Sequence, residues 1–373
     1  MYALVVFVTY KENKVLNLNK TDYETPSLFL GQKGGLFDTI NKADPRLMDL
    51  FRKLRAQDWD EFEFDFTSCN LEFKTCPKDV HDILKISLGW LWEADTIASR
   101  SISAITAPYV TFDGLSRYWS RVADNENLHA ATYSEILRNS FDNTDAIIKE
   151  ILAVKENIAR LGAVSEVLEE TYTKGHQYAL GLVENDQDLY NTIYMFCIAM
   201  LCLERLQFTV SFSAVFAIVQ SKQFIPIGEA VRKIFKDEFE NHVVGIKTIL
   251  EIESKTLRGN IARSSLEPKI TMLIGEVTKA EKANAEFIFT GRELVGLDQE
   301  AMCKFIDYTS QDVYDFLGLQ LPFERMKVTP LKYMDNWINV DNSQSSPQEA
   351  RDSNYLLGAV VNNLKGDLGI EGL

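Results

Sequence analysis

The chain has 373 residues, of which 46% are hydrophobic and 25% charged, and it carries a formal net charge of −15. That composition allows a large soluble core, and the acidic excess argues against a nucleic-acid-binding face and against attraction to anionic membranes. The five cysteines (Cys69, Cys76, Cys197, Cys202, Cys303) are odd in number and lack zinc-ligand spacing, which fits a reduced, cytoplasmic setting.

In chain order, residues 3–8 (Ala-Leu-Val-Val-Phe-Val) predict a short strand; they are too short for a signal-peptide core and have no basic residues ahead of them. The glycine-containing segment 30–35 is not followed by Gly-Lys-Ser/Thr, so it reads as a loop leading to a helix that begins near Asp44-Pro45. Residues 58–66 (Asp-Trp-Asp-Glu-Phe-Glu-Phe-Asp-Phe) alternate acidic and aromatic side chains, predicting extended structure with one buried face. From Pro77 the pattern changes to long helices, expected at 77–106, 112–139, 144–174 with a break near Gly162, 186–221, 228–255, 264–291 and 298–317. Regularity fades after Pro322, and the Asn-, Ser-, Asp- and Gly-rich end predicts a loosely held tail. The expected division is an N-terminal extension at 1–29, an all-α helical domain at 30–340 and a flexible tail at 341–373.

The run from Tyr194 to Val219 is apolar on nearly every side and long enough to span a bilayer. Glu204, Arg205 and Gln207 near its middle would be costly in lipid, so it reads as the central helix of a large bundle, with no membrane partner. A buried Glu204 then needs a compensating partner, and metal coordination is one standard solution.

Candidate partners stand on three other helices. Glu126 and His129 are spaced i, i+3 and share a helix face with Tyr133, seven residues beyond Glu126. Glu238 and His242 are spaced i, i+4 and follow Asp237, while Asp95 lies in an earlier helix. Asp95, Glu126, His129, Glu204, Glu238 and His242 make the inventory of a dinuclear carboxylate site in a ferritin-like bundle. Glu93 is a competing carboxylate on another face from Asp95, and His81 and His176 read as ordinary surface or loop residues.

In this order the motifs resemble the small, radical-bearing subunit of class I ribonucleotide reductase, from about Leu30 onward. The resemblance rests on Asp95 with Arg100-Ser101, Glu126/His129/Tyr133, a lone Glu204 in an apolar helix and Asp237-Glu238/His242. It implies a ferritin-like homodimer holding two iron ions per chain, with manganese as the alternative, and a stable radical on Tyr133. It also implies a radical path that begins at Trp59, linked through Asp237 to His129, and an apolar pocket around the radical lined by Phe208, Phe212 and Ile234. Tyr355 matches the tail tyrosine that passes the radical to the large subunit, which the C-terminal tail binds. The family spaces its second Glu and His as Glu-x-x-His, so the extra residue between Glu238 and His242 calls for a π-type bulge or a rotated helix, with Glu240 and Asn241 as intruders on the ligand shell. A free-standing di-iron oxidase or iron-storage protein would need the ligands without Trp59, Tyr133 or the tail. A metal-free scaffold would leave Glu204 unexplained.

Overall fold

In the chain's computed structural model, residues 27–32, 36–37 and 44–338 are described; the strand expected at 3–8, Tyr355 and the tail lie outside them. The described residues form helices joined by short turns, and their only β pairings are isolated bridges, Phe29 with Val110 and Leu294 with Leu297. The helices are α1 (Arg46–Ala56), α2 (Thr67–Thr75), α3 (Lys78–Thr106), α4 (Asp113–Ser140), α5 (Thr144–Leu152), α6 (Lys155–Ala179), α7 (Gln187–Cys202), α8 (Thr209–Val219), α9 (Ile225–Asp237), α10 (Val243–Glu253), α11 (Leu257–Phe289), α12 (Gln299–Leu317) and α13 (Lys332–Ile338).

Starts and stops follow local chemistry. Pro77, which has no backbone N–H to leave unsatisfied, precedes α3. The side chains of Asp186 and Asp298 accept from the backbone N–H of Leu189 and Ala301 and so cap α7 and α12. α12 stops at Gly318, in the left-handed conformation that favours glycine. α3 lies along α4, α8 packs on α3 and α9, and α7 packs on α6, α10 and α11. α7 and α8 run as one helical stretch, Gln187–Val219, the single one among the described residues apolar and long enough to cross a membrane. Its most apolar window is 94% buried inside the protein, as expected of a central bundle helix.

Four expectations shift. The break expected near Gly162 falls at Ala153–Val154, between α5 and α6. Buried Ile151 at the end of α5 sits so close to Gly89 of α3 that a β-carbon there would lie 2.9 Å away, so docking rather than glycine ends the helix. Residues 58–66 do not stay extended: Glu61–Glu63 form a 3₁₀ turn, with the Asp60 side chain accepting from Phe62 N–H and the Glu63 carboxylate accepting from Asp60 N–H. That local capping overrides the alternation; Trp59 and Phe66 remain buried while Phe62 is exposed. α11 starts seven residues before the expected 264, where the Thr256 hydroxyl accepts from Gly259 N–H, and it carries Pro268 inside. α2 and α13 were not foreseen; Trp337 of α13 stacks on Phe216 with ring centroids 4.3 Å apart.

Candidate metal centre

Four helical segments bring the side chains of the centre together. α3 brings Asp95, α4 brings Glu126 and His129, the segment joining α7 to α8 brings Glu204, and the segment joining α9 to α10 brings Glu238 and His242. Both joining segments, Leu203–Phe208 and Glu238–His242, are π-helical turns. The second absorbs the extra residue between Glu238 and His242, the first of the two accommodations the resemblance called for, and keeps both side chains on the inner face. The first was unforeseen; it turns Arg205 toward Asp312 and Gln207 toward Glu281 while Glu204 stays inside.

The six side chains are almost wholly buried and form two overlapping groups. Asp95, Glu126, His129 and Glu238 make one; Glu126, Glu204, Glu238 and His242 make the other, with the offered ligand atoms of each group within 4.8 Å of one another. Glu126 and Glu238 belong to both. Glu238 places Oε1 2.9 Å from His129 Nδ1 and Oε2 2.6 Å from His242 Nδ1. Glu126 does likewise, with Oε2 3.4 Å from His129 Nδ1 and Oε1 3.2 Å from His242 Nδ1. Two carboxylates thus span two positions, each completed by one imidazole and one end carboxylate.

The donor set fits metal ions. Both Nδ1 atoms and all the carboxylate oxygens of Asp95, Glu126, Glu204 and Glu238 are buried and crowd against one another, with no hydrogen-bond partner outside the centre among the described residues. Such groups are costly unless an ion takes them up. Both imidazoles are held from behind: His129 Nε2 is 3.2 Å from Asp237 Oδ2, and His242 Nε2 is 2.9 Å from Asn125 Oδ1. An outer acceptor on Nε2–H leaves the Nδ1 lone pair facing inward, the arrangement metal-binding histidines use. Four carboxylates also supply the negative charge that two divalent ions would cancel, with the mixed O/N character suited to iron or manganese.

Protonation follows the crowding. Burial, then the neighbouring carboxylates, pushes the Asp95 and Glu204 carboxyls well above their ordinary range. Burial acts the same way on Glu238, but the two imidazoles facing its oxygens outweigh it and hold that carboxyl low. Burial disfavours charge on His129 and His242, yet Glu238 and the other facing carboxylates keep both rings protonated well above the usual pH.

Tyr133 is fully buried, and its hydroxyl has no partner among the described residues. Burial first, then the charges of Asp95, Glu238 and Glu126, pushes its pKa up. Trp59 donates Nε1–H to Asp237 Oδ2 at 2.7 Å, and its ring stacks near His129, 6.0 Å between centroids. Phe208, Phe212 and Ile234 are fully buried. The feared intruders stay out: Glu240 pairs with Lys53, and the Asn241 amide donates to Gln57. Glu93 belongs to neither ligand group, and His81 and His176 bond locally to Asp82 and the Tyr172 carbonyl.

Three contributors escaped sequence reasoning. Asn125, one residue before Glu126 and four before His129, is buried at the rear of the site. Its position on the ligand stripe was a readable signal. Tyr118 and Gly245 act together on the second π turn. The Tyr118 hydroxyl donates to the Asn241 carbonyl at 2.7 Å, satisfying a backbone acceptor inside that turn. A β-carbon on Gly245 would lie 1.9 Å from that hydroxyl, so only glycine leaves room for it. Gly245→Ala is therefore expected to destabilise the protein by about 3 kcal/mol, combining overpacking with a lost buried hydrogen bond and outweighing the ~1 kcal/mol that alanine gains in helix propensity. Thermal or urea unfolding of the variant beside wild type checks this, and an unchanged midpoint would refute it.

A helical bundle with paired carboxylate-histidine groups from four helical segments defines a ferritin-like protein with a dinuclear metal site. The model of one family, ribonucleotide reductase, small chain, matches residues 37–330. The chain therefore belongs to the ribonucleotide reductase small chain family. It is 26% identical over 376 residues to a ribonucleoside-diphosphate reductase subunit beta of Buchnera aphidicola (subsp. Baizongia pistaciae), covering 95% of this chain and 96% of that one. It is 22% identical to the subunit beta of Enterobacteria phage T4, covering 94% and 96%. Among solved structures it is similar to the ribonucleotide reductase R2 subunit from Clostridium botulinum, with TM-score 0.77, 18% identity and coverage of 87% and 98%. It is also similar to Streptococcus sanguinis dimanganese(II)-NrdF, with TM-score 0.66, 16% identity and coverage of 81% and 100%. The free-standing iron-storage alternative is not favoured by this membership.

Proposed function

We propose that this chain is the radical-generating subunit of a ribonucleoside-diphosphate reductase. In this reading Asp95, Glu126, His129, Glu204, Glu238 and His242 hold two iron ions, manganese being the alternative, and Tyr133 carries the radical. When bound, such a pair supplies, with dioxygen, the one-electron oxidation of a phenol.

The chain's own residues do the rest. Tyr133 gives up one electron and its phenolic proton within the field of the Asp95, Glu238 and Glu126 charges. Its burial keeps the neutral radical away from water and small reductants. Trp59 offers an oxidisable indole at the protein's edge, 8% exposed, with Nε1–H on Asp237 Oδ2. Asp237 holds that indole and His129 on one oxygen, so electron transfer between the centre and the rim runs along a fixed hydrogen-bonded line. Tyr355 would take the hole onward to a cysteine of the large subunit, which the tail from 341 binds, with two copies of this chain forming the homodimer. A buried helical bundle of this kind is read as working in the cytoplasm.

The single observation that carries the reading is the Trp59–Asp237–His129 contact. A protein that only stores or oxidises iron has no use for an indole wired to an imidazole of the metal centre.

The test uses Trp59→Phe and Tyr355→Phe. Both should load metal and form the Tyr133 radical as wild type does, and both should reduce ribonucleotides at background rates beside the large subunit. Normal turnover by either variant would remove that residue from the path. Normal turnover by both would favour a free-standing di-iron protein.

A further inference from the structure

The outer shell of the centre is asymmetric. His129 rests its Nε2 directly on a carboxylate, whereas His242 rests its Nε2 on the amide oxygen of Asn125, 2.9 Å away. The Asn125 Nδ2 in turn donates to Asp237 Oδ2 at 3.1 Å. That one carboxylate oxygen therefore collects the indole N–H of Trp59, the amide N–H of Asn125 and the ring nitrogen of His129.

The amide has only one workable orientation. Turned over, it would put its oxygen against the Asp237 carboxylate and its N–H against the His242 ring N–H, losing both bonds and adding two repulsions. Asp237 thus fixes the amide, and the amide oxygen fixes the proton of His242 on Nε2. Once the ring gives up its second proton, as metal binding requires, the Nδ1 lone pair is left pointing at Glu126, Glu204 and Glu238. Asn125 is 2% exposed, so water does not readily take its place.

We propose that Asn125 is a positioning residue that holds His242 in the metal-binding tautomer, with Asp237 as its anchor, and so governs filling of the second ion position selectively. The proposal rests on the metal reading above. Without Asn125, His242 loses its only outer acceptor among the described residues, and the group Glu126, Glu204, Glu238 and His242 loses a directed nitrogen. The group Asp95, Glu126, His129 and Glu238 is spared, because Asp237 still holds His129 directly.

The experiment is a Mn(II) titration of the full-length chain, followed by elemental analysis and electron paramagnetic resonance. Wild type should take up two ions and give the exchange-coupled spectrum of a pair. Asn125→Leu and Asn125→Ala should bind the first ion as wild type does and the second about 10–100-fold more weakly, as losses of outer partners do. At one equivalent of Mn(II) they should show the hyperfine-split signal of an isolated ion. Asn127→Ala, which removes only a part-buried bond from an exposed side chain to the Ala123 carbonyl on the same helix, should match wild type. Should the bulkier leucine prevent folding, judged by circular dichroism, the alanine variant carries the test. Two ions bound with unchanged affinity by a folded Asn125 variant, or both ions weakened together, would overturn the proposal. Failure of wild type itself to bind two ions would instead overturn the metal reading on which it stands.

Discussion

Replacing Glu238 with alanine is expected to abolish the dinuclear centre outright, giving less than one tightly bound ion per chain at saturation. Glu238 is one of two carboxylates shared by both ligand groups, with an oxygen on each side. Its loss removes a donor from each position, so the effect should exceed the roughly 10–100-fold penalty typical of an outer-shell change. Glu204→Ala, which touches one group only, should abolish the pair but spare one ion. Elemental analysis after loading with iron, and separately with manganese, checks both variants; a Glu238→Ala chain holding two ions would refute the assignment.

The same charges give the metal-free protein a pH signature. Asp95, Glu204, His129 and His242 all hold protons in the fold at pH values where the unfolded chain releases them. The folded state then binds more protons than the unfolded one, and stability falls as pH rises. The two carboxyls contribute above their ordinary carboxylate range, and the imidazoles from about pH 6.5 upward. Glu238 has the opposite sign; its contribution is present above the ordinary range and lost as pH falls below it. Metal-free protein should therefore lose thermal stability between neutral and alkaline pH, and metal loading, which must expel those protons, should acidify a weakly buffered solution. Loading without proton release would contradict the crowded, protonated site.

Tyr133→Phe is expected to leave folding and metal content intact and to eliminate the stable tyrosyl signal, with nucleotide reduction falling to background beside the large subunit. The substitution keeps the ring that fills the core and deletes only the oxidisable hydroxyl. Because that hydroxyl is buried without a partner among the described residues, its removal should not destabilise the metal-free protein, and a gain of up to about 2 kcal/mol is expected. Unfolding curves and electron paramagnetic resonance on the same samples test both halves. A persisting signal of unchanged shape would place the radical on another residue, and a clear loss of stability would mean the hydroxyl is bonded.

Much of this was legible in the sequence because helices turn spacing into geometry. Glu126, His129 and Tyr133 recur at three and seven residues, so they had to share one face whatever surrounded them. Glu204 announced itself as a carboxylate in an otherwise apolar stretch, where burial without a partner is costly. Set against the spacing of the resembled family, the extra residue between Glu238 and His242 called for a π-type bulge or a rotated helix, and a π turn stands there. The acidic-aromatic stretch misled because its alternation has a competitor: Asp60 and Glu63 can cap a turn, and they do.

The sequence alone therefore determined the helical class and offered the six candidate ligands and Tyr133, through local periodicity, the cost of burying charge and, for Asp95 over Glu93 and for Tyr133, the resemblance to a known family. Only the tertiary structure decided how those ligands divide into two groups, that Glu126 and Glu238 span both, and that Tyr118 reaches a carbonyl over Gly245. It also decided that Asp237 gathers Trp59, His129 and Asn125 on one oxygen. These facts depend on how residues as many as 178 positions apart approach one another, a distance set by the packing of whole helices rather than by any spacing along one of them.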